Sequence, residues 1–212
     1  MQWTLVIPLK PLARAKSRLA DTATDGLRPG LALAFAQDTV AAALACQAVK
    51  DVAVVTDDAV AGRELAALGA RIVPDTPQSG LNAALRHGAS VVRVSRPESA
   101  VAALNADLPA LRPLELSRVL DAAAEFPRAF LADAAAVGTT LLAAAPGSEL
   151  APVFGPDSRA RHAASGAVEL RPAGVESVRQ DVDTGADLRT ALALGVGPRT
   201  AAAAARLLIP DQ

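Results

Sequence analysis

Three aspartates in this chain have the type and spacing to hold a metal: Asp107, in Asn105-Ala106-Asp107-Leu108-Pro109, and the pair in Asp181-Val182-Asp183. A lone aspartate before a proline turn reads equally well as a cap, because its short side chain bonds nearby backbone N–H groups. The pair says more. Along an extended strand, residues 181 and 183 share one face, and two carboxylates there can reach one or two hard divalent cations. Asp183-Thr184 also reads as the start of a helix, with Asp187 completing a capping box on Thr184, and the two roles are compatible.

A second group is cationic. Lys10, Arg14, Lys16 and Arg18 fall within nine positions of a chain whose formal net charge is -1. Lysines and arginines so placed can neutralise a triphosphate and the departing pyrophosphate; the competing reading is a solvated surface loop. Gly138-Thr139-Thr140 and Phe154-Gly155-Pro156-Asp157-Ser158 offer hydroxyls and glycine amides to a second anion, or else form ordinary turns and a cap. His87 and His162 lie far apart and read as surface or packing residues.

What is missing narrows the class. There is no P-loop, no dinucleotide-binding glycine fingerprint, no nucleophile elbow and no paired-histidine zinc motif. Cys46 is the only cysteine and sits in an apolar stretch, which excludes disulfides and cysteine-rich metal sites and suggests a buried, inert thiol. Without a basic excess, nucleic acid and anionic membrane are not expected as partners, which leaves small ligands. The apolar opening meets Pro8 too early for a secretion signal, so a cytoplasmic protein is expected.

These residues need a scaffold. With 51% hydrophobic but only 2% aromatic residues, the core must be built from Ala, Leu and Val, and 212 residues suit one domain spanning 1–212. Short β-branched runs alternate with longer Ala-Leu segments, which predicts an α/β three-layer sandwich: a mainly parallel, mixed sheet covered on both faces. Strands are expected at 4–9, 52–56, 70–73, 99–104, 129–131, 140–143, 168–170 and 175–178. Helices are expected at 31–48, 61–68, 80–88, 113–126, 158–165 and 184–194. Asp107 then follows the strand at 99–104 into the crevice where open α/β sheets bind ligands.

The stretches Pro8 to Leu19, Gly80 to Leu85, Ala106 to Pro109, Gly138 to Leu142, Phe154 to Ser158 and Asp181 to Thr184 occur in an order that resembles the phosphoenolpyruvate/2-phospho-L-lactate guanylyltransferase family of coenzyme F-420 biosynthesis. The resemblance covers nearly the whole chain. It implies a nucleotide-diphospho-sugar transferase (glycosyltransferase A)-like nucleotidyltransferase fold, with GTP as co-substrate and Mg2+ as cofactor. By matching motifs, Lys10, Lys16, Arg18, Gly80 and Asn82 belong to the nucleotide, and Asp107, Asp181 and Asp183 to the metal. Thr140, Gly155 and Ser158 belong to phosphoenolpyruvate, with Lys16 and Asp107 central to catalysis. The sequence departs from the family pattern at Asn105, where a small apolar residue is usual, and at Val182, where isoleucine is common; neither change removes a ligand.

The implied reaction moves GMP from GTP to phosphoenolpyruvate, and the product would pass to the next transferase of the pathway. Within the family, 2-phospho-L-lactate and 3-phosphoglycerate are the alternative acceptors. A molybdopterin guanylyltransferase or a sugar-phosphate nucleotidyltransferase would carry a glycine-rich loop after the first strand, and Leu9 to Arg18 contains no glycine. A non-catalytic nucleotide-binding subunit would be expected to have lost Lys16 or one of the aspartates.

Overall fold

The computed structural model describes residues 1–14, 26–76 and 78–208. Its strands are β1 (Trp3–Pro8), β2 (Val49–Val55), β3 (Arg71–Val73), β4 (Ala100–Leu104), β5 (Arg128–Ala132), β6 (Thr139–Ala144) and β7 (Val168–Leu170). They form one sheet of order β3-β2-β1-β4-β6-β5-β7. β1 to β4 are parallel, β6 runs antiparallel to both β4 and β5, and β7 is parallel to β5. Because β6 is reversed, its first residues share an edge of the sheet with the last residues of β1 and β4. The chain leaves β1 outward through β2 and β3, then returns to β4 on the other side of β1; that reversal opens a crevice beyond the ends of β1 and β4.

Eight α-helices complete the described structure: α1 (Arg28–Leu44), α2 (Ala59–Ala67), α3 (Leu81–Ser95), α4 (Pro113–Ala123), α5 (Ser158–Ala164), α6 (Glu176–Arg179), α7 (Gly185–Leu194) and α8 (Pro198–Ala205). On one face of the sheet, Ala36 and Val40 of α1, Leu65 of α2 and Leu116 and Leu120 of α4 pack against Leu5, Ile7, Ala102 and Leu141. On the other, Ala84, Leu85, Ala89 and Val92 of α3 pack with Phe154 against Val6, Ala103, Phe130 and Leu142. This is the expected three-layer α/β sandwich. Its central strands are buried on both faces and therefore read as continuous apolar runs rather than alternating ones. Among the described residues no helix is long and apolar enough to cross a membrane.

Three expectations change and one helix is added. The helix expected to stop at Gly88 continues to Ser95: a Cβ on Gly88 would lie 2.6 Å from Val6 Cγ1 and 2.7 Å from Val55 Cγ2, so this glycine lets α3 press onto the sheet. The strand expected at 175–178 is the single turn α6, whose Val175 and Val178 are both buried. Its Ser177 is held on both sides, the amide donating to Glu115 Oε2 at 2.8 Å and the hydroxyl accepting from Arg112 N at 3.0 Å. Residues 181–183 are loop outside the sheet, so no strand pairing fixes the two aspartates. Finally, α8 lay hidden in an alanine run without period. Its N-terminus is capped from a distant helix, since Asp38 of α1 accepts the amides of Thr200 at 2.7 Å and Arg199 at 3.3 Å.

Candidate active site

Lys10 is exposed just beyond β1, on the crevice, while Lys16 and Arg18 lie outside the described residues. A short 3-10 turn, Leu12–Arg14, begins the basic segment and is tied down by Asp58. Asp58 caps α2 by accepting Val60 N and Ala61 N, each at 3.0 Å, and its other oxygen accepts Leu12 N at 2.8 Å. Burial works to raise the Asp58 pKa, but the three backbone donors outweigh it and hold the carboxyl below its ordinary value. Read as a helix cap from sequence, Asp58 would have been found; its grip on Leu12, 46 residues away, could not have been.

Asp107 follows β4 in a segment fixed on three sides. Asn105 N donates to Thr140 O at 3.0 Å, extending the β4–β6 ladder past its last apolar pair. Leu108 N donates to Thr39 Oγ1 at 3.0 Å and its side chain is fully buried, while Val182 N donates to the carbonyl of Asp107 at 3.1 Å. These bonds bring Asp107, the 181–183 loop and Thr140 to one point on the sheet edge. Asn105 Nδ2 meets Asp181 Oδ2 at 3.5 Å, which gives a polar role to the position that departs from the family pattern.

The 181–183 loop keeps the inside-outside pattern although it is no strand. Val182 is buried against Leu31, Phe35 and Leu188, Asp181 is half-buried and Asp183 exposed. The expected capping box is present: Thr184 accepts Asp187 N, and Asp187 Oδ2 accepts Thr184 N at 2.8 Å and also Asp183 N at 3.2 Å. Among the described residues no group of three or more Asp, Glu, His or Cys side chains stands ready to hold a metal, so Asp107, Asp181 and Asp183 are neighbours in the fold rather than a closed cluster.

Thr140 lies near the start of β6, bonded to Asn105, while Gly155 and Ser158 lie in the segment that leads into α5. Thr140 is wholly buried, and its hydroxyl finds no hydrogen-bond partner among the described residues. Gly155 is exposed at φ +121°, a backbone that L side chains rarely adopt, and a Cβ there would lie 2.7 Å from Arg161 Nη2. Ser158 opens α5 and is 2% exposed. Gly80, at φ +92°, precedes α3 as its cap residue, and Asn82 sits in the first turn with both halves of its carboxamide on Phe154: Nδ2 donates to the carbonyl at 3.0 Å and Oδ1 accepts the amide at 2.8 Å.

His162 is packed in the core. It is 0% exposed, lies edge-on to Phe154 with ring centroids 4.8 Å apart, and also contacts Phe130. Burial, then the charges of Arg128 and Arg161, push its pKa down to about 4, so it is neutral at physiological pH. Cys46 is likewise buried, and desolvation raises its thiol, consistent with an inert core residue. A cavity of about 370 Å³ is lined by Val137, Asp157, Arg159 and Glu169, and its arginine is paired with Glu169 at 3.0 and 3.2 Å.

The fold is shared with solved nucleotidyltransferases. The chain superposes on a nucleotidyl transferase from Methanothermobacter thermautotroptrophicus with a TM-score of 0.66 at 22% identity, covering 91% of this chain and 97% of the other. It also matches Rv0371C of Mycobacterium tuberculosis, solved in complex with manganese, with a TM-score of 0.55 at 22% identity over 91% of this chain and 99% of the other. Those likenesses define the fold. Residues 3–162 match the family described as guanylyl transferase CofC like, and the chain belongs to that family. A phosphoenolpyruvate guanylyltransferase of Streptomyces avermitilis is 83% identical over 210 residues, 99% of this chain and 97% of the relative.

Proposed function

We propose that this guanylyltransferase moves GMP from GTP to phosphoenolpyruvate, forming enolpyruvyl-diphospho-5'-guanosine and pyrophosphate in coenzyme F-420 biosynthesis. An oxygen of the acceptor phosphate attacks the α-phosphorus of GTP, and the bond to the bridging oxygen of pyrophosphate breaks. The acceptor is already an anion, so no side chain need generate a nucleophile; the protein must position two polyanions and offset their repulsion.

Lys10, Lys16 and Arg18 neutralise the triphosphate, with Lys16 countering charge on the departing pyrophosphate, and Gly80 lies on the nucleotide side. Asp107, Asp181 and Asp183 supply hard oxygen donors suited to Mg2+, which polarises the phosphate under attack when bound. Mg2+ is usually held by one or two carboxylates with the remaining oxygens from substrate phosphates and water, so the three side chains need not enclose it by themselves. Main-chain groups at Gly155 meet the acceptor, with Thr140 and Ser158 beneath them.

The observation that carries this reading is the pair of main-chain bonds from Asn105 to Thr140 and from Val182 to Asp107. They support it because they join the segments that carry Asp107, Asp181 and Asp183 to the strand that carries Thr140, and transfer between two phosphates needs metal and acceptor groups close together. The test is a mass-spectrometric assay with GTP and Mg2+, offering phosphoenolpyruvate, 2-phospho-L-lactate and 3-phosphoglycerate separately and in competition. Preferential formation of the phosphoenolpyruvate adduct is expected. Absence of a diphosphate-linked guanosine product from every acceptor would refute the proposal.

A further inference from the structure

Loop 153–158 is anchored at its start by side chains that bond the main chain of Val153 and Phe154. Val153 N donates to His162 Nε2 at 3.1 Å. Phe154 N donates to Asn82 Oδ1, and Phe154 O accepts both Asn82 Nδ2 and Arg161 Nη2, the latter at 2.9 Å. Gly155 comes next in the chain.

The bond from Val153 fixes the state of the imidazole. A ring nitrogen that accepts a backbone N–H carries no proton, so in neutral His162 the proton is on Nδ1, which donates to Thr139 Oγ1 at 2.9 Å. Alternation along β6 from Leu141 would send Thr139 to the opposite face; the register break against β5 between Leu131 and Ala132 lets its hydroxyl reach the ring. His162 therefore touches the chain next to each acceptor-side residue. Thr139 adjoins Thr140, Val153 and Phe154 precede Gly155, and Ser158 lies four residues earlier on the same face of α5.

We infer that His162 and Asn82 are positioning residues that form a two-sided clamp on loop 153–155, setting the acceptor pocket without touching the substrate. A phenylalanine at 162 would fill the same space between Phe130 and Phe154, so packing alone does not require histidine; its two directional bonds do. Asn82, which the family resemblance assigns to the nucleotide, has its carboxamide engaged on the acceptor loop instead, linking the first turn of α3 to Phe154. The clamp rests on the reading that Thr140, Gly155 and Ser158 line the acceptor site.

Steady-state kinetics of the full chain with both substrates varied tests it, with circular dichroism and thermal melts confirming the fold of each variant. His162→Phe is expected to raise KM for phosphoenolpyruvate roughly tenfold, the scale of one or two lost hydrogen bonds, while KM for GTP stays within about twofold. His162→Gln, whose amide oxygen can accept from Val153 N, is expected to recover most of that loss. Asn82→Ala should likewise raise the acceptor KM and spare that of GTP. If His162→Phe fails to fold, Asn82→Ala decides the matter on the same readout. The clamp is overturned if folded variants move both KM values in proportion or neither, or if Asn82→Ala raises KM for GTP alone. Ser158→Ala separates the two layers of argument. A Ser158→Ala variant with unchanged acceptor KM removes the acceptor site and the clamp with it. Conversely, a raised KM there, with no effect from His162 or Asn82, removes the clamp alone.

Discussion

Asp107 stands where a parallel strand hands its chain to a loop, and its backbone is held by Val182 on one side and, through Leu108, by Thr39 on the other. Replacing its carboxylate with a carboxamide of the same size leaves those main-chain bonds intact, so Asp107→Asn tests the proposed metal-binding role. Loss of one anionic ligand beside a transferring phosphate is worth several kcal/mol, and kcat/KM is expected to fall by ~100-fold or more, with a higher Mg2+ concentration needed for half-maximal rate. Full activity at unchanged Mg2+ dependence would remove Asp107 from the proposed metal site. Asp58 offers a contrasting case, because it acts on the basic segment only through Leu12. In Asp58→Ala the α2 cap is lost, which costs about 0.5–2 kcal/mol of stability, and the turn at 12–14 is released. A lower melting temperature together with a raised KM for GTP is the expected result; a stability loss with no change in KM would confine Asp58 to capping.

At the scale of elements, α3 is decided by contact with the sheet rather than by helix propensity. Gly88→Ala would gain about 1 kcal/mol of intrinsic helix preference, yet the new methyl would lie 2.6 Å from a valine buried on β1. Overpacking a closed core costs about 1–3 kcal/mol, so the clash is expected to win and thermal denaturation to show a lower melting temperature. A stabilised variant would mean that α3 lifts from the sheet at little cost. The same competition explains what the sequence made legible. Buried strands such as Val52–Val55 and Ala100–Leu104, and the helix boundary at Thr184, are written locally in apolar runs and a capping box. Gly88 looked like a stop because only its distant partners, Val6 and Val55, show why a glycine is there. The cap on α8 likewise comes from Asp38, 162 residues before Thr200. The three aspartates could be picked out, but their neighbourhood depends on Val182 meeting Asp107 across 75 positions, which no local pattern encodes. His162 remained an ordinary packing residue until Thr139 and Val153 were seen to converge on it.

At the scale of the whole molecule, the buried histidine should make stability depend on pH in a window of its own. The folded pKa of His162, about 4, lies below its ordinary value of 6.5, so above pH 6.5 neither the native nor the unfolded chain protonates it and this group adds no slope. As pH falls from 6.5 toward 4, the unfolded chain takes up a proton that the native state refuses, and stability is lost; below about 4 both states are protonated and the slope ends. Asp58 and Glu169, whose carboxyls are held below their ordinary values, also lose their stabilising effect on acidification, but only at the lower pH where carboxylates titrate. The interval from pH 6.5 to 4.5 therefore belongs chiefly to His162. Over it the native state should lose about 2–3 kcal/mol, or roughly 5–10 °C in melting temperature for a chain of this size. His162→Gln carries no titratable group there and should show a nearly flat profile over the same interval, even if it is less stable at neutral pH. Equilibrium denaturation of both proteins at pH 7, 5.5 and 4.5 measures the difference. Parallel declines in the two would show that the acid sensitivity arises elsewhere, and that the imidazole is less isolated from solvent than its contacts with Phe130, Phe154 and Thr139 require.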